Sequence, residues 1–276
     1  MATWSETRTY GVEIECIAGN LGLHGVADAI RRAGIECQVE GWQPHGARSY
    51  RTWKVTSDGS LSPGGVEVVS PPLAGQAGLE EIKRVCEILQ SIRCFVDRSA
   101  GLHVHHDGRD FRPHDFEKVI RYYQFFEQVI DQGLAPSRRG SPRWCATLRG
   151  IDPTAPDIRS GRIDRGRYFK INLNSYAAHG TIEFRGHQGT INGEKIASWV
   201  VLTGAIMETA RRGRSCKYTA GKVARGAKAT WAYMRNSILV NRGGRFSETP
   251  TFKALEWFEG RIREFKAKER TPRRAA

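Results

Sequence analysis

The chain has 276 residues, 39% of them hydrophobic and 26% charged, which is globular composition and excludes a fibrous or low-complexity protein. No run approaches the roughly 20 apolar residues of a membrane-crossing helix, and six scattered cysteines with no C-x-x-C exclude a disulfide scaffold or zinc ribbon. A net charge of +14 calls for an anionic partner: nucleic acid, an anionic surface or nucleotide-like small molecules.

The N-terminal "MATWSETRTYGVEIE" has no basic region followed by an apolar one, so no secretory signal is expected. With the cysteines read as free thiols, the expected compartment is a reducing cytoplasm. "TYGVEIECI" alternates β-branched and acidic residues, the pattern of a half-buried strand. Residues 24–33 predict a short helix. "RTWKVTSDGSL" and "GGVEVVSPP" predict paired strands around the Asp58-Gly59 turn, ended by Pro71-Pro72. "GLEEIKRVCEILQSIR" spaces Leu79, Ile82, Cys86, Leu89 and Ile92 as one helical face, and "SAGLHVHHDG" is a strand. "RPHDFEKVIRYYQFFEQVIDQGL" predicts a long helix with Gly133 at its end.

Residues 136–167 hold eight arginines against three aspartates with little periodicity, and a loop of that length is usually functional. "RYFKINLNSY" and "GTIEFRGHQG" read as strands. "NGEKIASWVVLTGAIMETARR" reads as an amphipathic helix capped by Asn192, 221–236 as a weaker one, and "TPTFKALEWFEGRIREFKAK" as the last. The expected organisation is one α+β domain over 1–260 and a basic tail over 261–276, where seven Lys or Arg face two Glu.

Side chains alternate faces along a strand. Glu13 and Glu15 oppose Val12 and Ile14, Glu67 opposes Val66 and Val68, and His103 and His105 oppose Leu102 and Val104. Glu183, Arg185 and His187 oppose Ile182 and Phe184, and Lys170, Asn172 and Asn174 oppose Phe169, Ile171 and Leu173. One face of the predicted sheet is thus apolar, for helices to cover. The other gathers carboxylates and imidazoles, which repel unless cations neutralise them. The carboxylate excess favours Mg²⁺ or Mn²⁺ over zinc.

"YGVEIE", "DGSL…GGVEVVSPPL", "AGLHVHH", "KINLNSY" and "TIEFRGHQGT" resemble, in order and spacing, the amidoligase family of phage and bacterial carboxylate–amine ligases related to glutamine synthetase and γ-glutamylcysteine synthetase. The resemblance spans about residues 9 to 210. It implies a curved, mainly antiparallel sheet lining the active site, with helices packed outside. It also implies ATP-dependent phosphorylation of a carboxylate and attack by an amine on the acyl phosphate, with Mg²⁺ or Mn²⁺ as cofactor; amino acid, peptide, protein side chain and cell-wall precursor all stay open as substrates.

Carried over, Glu13 and Glu15 resemble glutamates that each hold a different metal ion. Glu67 resembles the glutamate joining one of them at the first site. His103 and Glu183 resemble the ligands of the second, beside the nucleotide phosphates. Arg185 resembles the arginine that stabilises the transferring phosphoryl group. His105 and His187 are expected near substrate, and His106 on the packing face. Lys170 and Asn172, with the 138–167 loop, are expected to meet ATP phosphates or an acidic substrate, the loop also closing over the site. Asp58 is the candidate third carboxylate of the first metal site. Relatives that build sites at subunit boundaries make an oligomer compatible with this reading. Two other functions compete: a metal-dependent hydrolase built on H-x-H, and a nucleic-acid binder using the basic tail.

Overall fold

The structure is a computed structural model that describes residues 4–41, 50–212, 229–239 and 249–270. Its strands are β1 (Tyr10–Ile17), β2 (Cys37–Glu40), β3 (Trp53–Thr56), β4 (Gly65–Val69), β5 (Gly101–Asp107), β6 (Ile171–Asn172) and β7 (Thr181–Gln188). Among the described residues the helices are α1 (Gly22–Arg32), α2 (Gly75–Ser91), α3 (Pro113–Gln132), α4 (Pro156–Arg159), α5 (Ser175–His179), α6 (Gly193–Arg212), α7 (Trp231–Leu239) and α8 (Pro250–Arg270). The fold is α+β. The strands form one open sheet in the order β2-β3-β4-β1-β5-β7-β6, antiparallel throughout except for the parallel pair β2 and β3.

Alternation dictates the layers. Val12, Ile14, Val66, Val68, Leu102, Val104, Ile182 and Phe184 are buried, and helices cover them. His106 lies on this apolar face, with Nε2 2.8 Å from Thr203 Oγ1 of α6. Burial there pushes its pKa down to about 3. Tyr123 of α3 packs on Phe184, and the Trp53 indole N–H donates to Glu81 of α2. The opposite face is left for chemistry.

Three local expectations change. "RYFKINLNSY" yields only the two-residue β6, because Asn172 Oδ1 accepts the Asn174 N–H and the chain turns into α5. Helix α6 does carry its cap, Lys195 N–H donating to Asn192 Oδ1, but it is buried nearly all round. It runs between α2, α3, α8 and β5, so an amphipathic stripe is not what that environment selects. The basic stretch from 261 begins inside α8, which buries Ile262 and Phe265 and pairs Arg261 and Lys268 with Glu264. Residues 271–276, like 221–228 of the weaker predicted helix, lie outside the described residues.

The fourth change comes from a bulge. Between β5 and β7 the register slips: Val104 faces Phe184, but Leu102 faces His187, so Arg185-Gly186 carries one extra residue. His187 is thereby turned to the helix side, away from the polar face expected for it. Its ring packs on Trp199 of α6 and Trp257 of α8, and burial lowers its pKa to about 3.

A neutral buried histidine makes stability pH-dependent. The unfolded chain takes up the proton near pH 6.5 while the native state refuses it until about 3. Stability from His187 is therefore complete above pH 6.5 and falls as pH drops towards 3. In His187→Phe, urea unfolding between pH 4.5 and 5.5 should show a pH slope shallower by up to about 1.4 kcal/mol per pH unit.

Candidate active site

Residues opposed across neighbouring strands share a face. Glu15 of β1 stands opposite Glu67 of β4, and Glu13 opposite His103 of β5. His105 stands opposite Glu183 of β7, which also faces Asn172 of β6. Four strands thus deliver four carboxylates and two imidazoles to one surface. His103 is central. Its Nδ1 is 2.8 Å from Glu13 Oε2 and 3.6 Å from Glu183 Oε1, and its Nε2 is 3.5 Å from Glu15 Oε1.

Two triads result, one of Glu13, His103 and Glu183, the other of Glu15, Glu67 and His103. In each, one ligand atom per residue lies within 4.8 Å of the others. Both triads are oxygen-rich with one imidazole, a donor set suited to hard divalent cations.

The electrostatics agree. Burial would raise the Glu13 carboxyl, but His105 and His103 outweigh it and hold it well below the usual range. Glu183 is lowered against burial in the same way, by His105, Arg185 and His103. Glu67 has no such partner among the described residues. Burial, then Glu13 and Glu15, push it well above the usual range, with Asp58 and Glu183 adding to the effect. A carboxylate kept ionised in that position needs a cation beside it. The residues therefore fit a divalent metal ion, with His103 available to complete either triad.

Supporting contacts fix the donors. The Asn172 side-chain N–H donates to Glu183 Oε2 at 2.6 Å, and Arg185 Nη1 donates to Glu183 Oε1 at 2.6 Å. His105 has Nδ1 2.9 Å from Thr181 Oγ1 and Nε2 3.3 Å from Glu13 Oε1; Glu13 and Glu183 raise its pKa against burial, which alone would lower it. The Gly101 N–H donates to Glu15 Oε2. A cleft of about 370 Å³ opens beside Glu13 and His105, walled by Tyr50, Ser70, Pro72, Arg109 and His179.

The structure thus brings Glu13, Glu15, Glu67, His103, His105, Glu183, Arg185 and Asn172 together. It does not bring Lys170. That side chain is fully buried towards α3, with Nζ 2.6 Å from Asp131 and 3.0 Å from Glu127. The short β6 and the adjacent bulge explain this: position 170 precedes the strand, so alternation does not govern it. Asn172 has both amide ends engaged, with Glu183 and with Asn174 N–H, so it orients Glu183. Asp58 is near enough to raise Glu67 but caps its own turn at Ser60 and joins neither triad.

Sequence reasoning missed Lys54. It lies opposite Val69, which lies opposite Glu13, so it shares the site face. It is buried, with Nζ 2.5 Å from Glu40 and 4.0 Å from the Tyr50 ring centre. The alternation in "WKVT" carried that signal.

An open sheet face bearing two carboxylate–imidazole triads that meet at His103 is a candidate metal-binding site. The chain belongs to the amidoligase family: the profile described as "Putative amidoligase enzyme" matches residues 6–150 and 154–207, which contain the whole cluster. The family's description points to amide-bond ligation. No curated protein matches the chain.

A neutral imidazole has one free lone pair and ligates one cation at a time, so His103→Ala should weaken Mn²⁺ at a single triad, while Glu67→Gln and Glu183→Gln should each weaken only their own. Mn²⁺ stoichiometry by electron paramagnetic resonance counts the sites directly. Lys170→Met leaves Glu127 and Asp131 buried without their cation, and chemical denaturation should register a loss of about 3–5 kcal/mol.

Proposed function

We propose that this protein is an ATP- and Mg²⁺-dependent carboxylate–amine ligase of glutamine synthetase-like design, joining its substrates by an amide or isopeptide bond through an acyl phosphate. The observation that carries the reading is the pair of triads fused at His103 in a chain of the amidoligase family. A substrate carboxylate oxygen attacks the γ-phosphorus, the bond to the β-phosphate oxygen breaks and ADP leaves. The amine then attacks the acyl carbon, phosphate leaves and the amine proton is released.

Phosphoryl transfer rests on positioning and charge neutralisation. When bound, the divalent ions neutralise the phosphate oxygens and orient them. The chain's own residues supply the rest. Glu13 and Glu183, held by His103, Asn172 and Arg185, form the second triad on the nucleotide side. The cleft beside Glu13 and His105 is sized for a nucleotide. Arg185 keeps its guanidinium on the site face, braced by Glu183 and the Tyr168 ring, where transferring oxygens require a cation. Lys54 lies at the other edge of the face, its charge engaged by Glu40. The arginine-rich 138–167 segment, expected to close over the site, is anchored along α3 through Gln124, Glu127 and Glu117.

The alternatives are weaker. A zinc hydrolase prefers an imidazole- or thiolate-rich set, whereas each triad here has two carboxylates to one imidazole. For a nucleic-acid tether, part of the C-terminal charge is already engaged: Arg261, Arg263 and Lys268 pair with glutamates of their own helix.

Calorimetric titration with a non-hydrolysable ATP analogue should show binding with Mg²⁺ and none without it. Binding that ignores Mg²⁺, or zinc that co-purifies at one ion per chain with no nucleotide affinity, would overturn the ligase reading.

A further inference from the structure

Within the segment from α3 to β6, residues 144–146 and 168–170 run side by side. The Ala146 N–H donates to the Tyr168 carbonyl and the Lys170 N–H to the Ala146 carbonyl, a parallel bridge between Ala146 and Phe169. Neighbours alternate sides in extended backbone. Cys145 and Phe169 are buried, and Trp144 and Tyr168 beside them are 42% and 38% exposed. Among the described residues they are the only exposed tryptophan and the only exposed tyrosine. Their rings meet edge to face with centroids 5.2 Å apart.

Single apolar groups on a surface are ordinary; two touching aromatic rings kept in water mark a place that a ligand covers. Cations frame them. Arg143 lies over the Trp144 ring at 4.6 Å and Arg167 over the Tyr168 ring at 5.1 Å. Among the described residues neither forms an ion pair, nor do Arg149 and Arg165 of the same segment, whereas Arg139, Arg159 and Arg162 do. Tryptophan, tyrosine and arginine are the residues that most often carry the binding energy of protein interfaces. The patch also abuts the active site, with the Arg185 guanidinium 5.9 Å from the Tyr168 ring centre.

We propose that Trp144 and Tyr168, with their arginines, form a docking platform for an acidic polypeptide, so that the amide bond is made on a peptide or protein chain and not on a free amino acid. This rests on the ligase reading. The platform is separate from the cleft beside Glu13 and His105, whose walls include none of its residues. Its reach calls for a chain. Tyr168 stands 5.2 Å from Trp144 and 5.9 Å from Arg185, so three or four extended residues, at about 3.3 Å each, lead from the outer ring to the sheet face. The unpaired guanidiniums select acidic side chains, and the rings accept apolar ones between them. A nucleic acid could stack on the rings, but it has no carboxylate for the reaction next door. A polypeptide has both the surface and the reacting group.

The test pans phage-displayed random dodecapeptides on the full chain with Mg²⁺ and no nucleotide, then titrates the enriched peptides, made synthetically, by calorimetry. Enriched sequences should combine Asp or Glu with an apolar residue. Their affinity should fall at least tenfold in Trp144→Ala or in the double variant Arg143→Gln/Arg167→Gln, and a loss in either supports the platform. The replaced side chains are exposed, so an unchanged urea midpoint checks that each variant stays folded. No enrichment, enrichment of peptides without acidic residues, or affinity unchanged in both variants overturns the proposal. So does oligothymidine that binds the parent chain more tightly than any peptide and is released by the same variants, since the surface is then a nucleic-acid site. Affinity for a non-hydrolysable ATP analogue lost in Trp144→Ala overturns it too, by assigning the ring to the nucleotide base. Because the peptide titrations contain no nucleotide, an analogue that fails to bind the parent chain removes the ligase reading while docking is still decided by the peptides.

Discussion

Mutual repulsion among four carboxylates on one sheet face is the constraint around which this protein is built. At an effective dielectric near 20, two unit charges about 4 Å apart interact by about 4 kcal/mol. Glu13, Glu15, Glu67 and Glu183 crowd a single central imidazole, and Glu67 shows the strain in its raised carboxyl. Arg185 and two histidines cannot balance that charge. The proposed cations would neutralise that charge and would in turn attract an anionic ligand.

The scaffold exists to keep these groups in register. A strictly antiparallel centre, β4-β1-β5-β7, sets Glu67, Glu15, Glu13, His103, His105 and Glu183 by backbone pairing alone. The helices take up the opposite, apolar face, so the polar face is free of packing duties. The bulge at Arg185-Gly186 then performs a separation. It leaves Arg185 beside Glu183 and sends His187 into the helical layer between two tryptophans. A buried network on α3, in which Lys170 links Glu127 and Asp131, stands just behind that bulge; the Lys170 carbonyl accepts the Arg185 N–H.

The site was largely legible because a period of two, read over four strands, assigns a face without any knowledge of pairing. Glu13, Glu15, Glu67, His103, His105 and Glu183 all follow from it. It fails where a strand stops being regular. His187 lies beyond a bulge that no local pattern announces, and Lys170 lies before a strand two residues long. Lys54 was readable by the same rule but sits on a strand whose other residues carry no metal ligands. The helices were legible in position, but the all-round burial of α6 depends on neighbours that periodicity does not reveal.

The central claim is that the carboxylate–imidazole face around His103 holds divalent cations. Anomalous diffraction from a crystal soaked in Mn²⁺ tests it most directly. The account predicts density beside His103, against Glu13 and Glu183, against Glu15 and Glu67, or against both pairs. No peak on the face, or a single one bound away from His103, would contradict it.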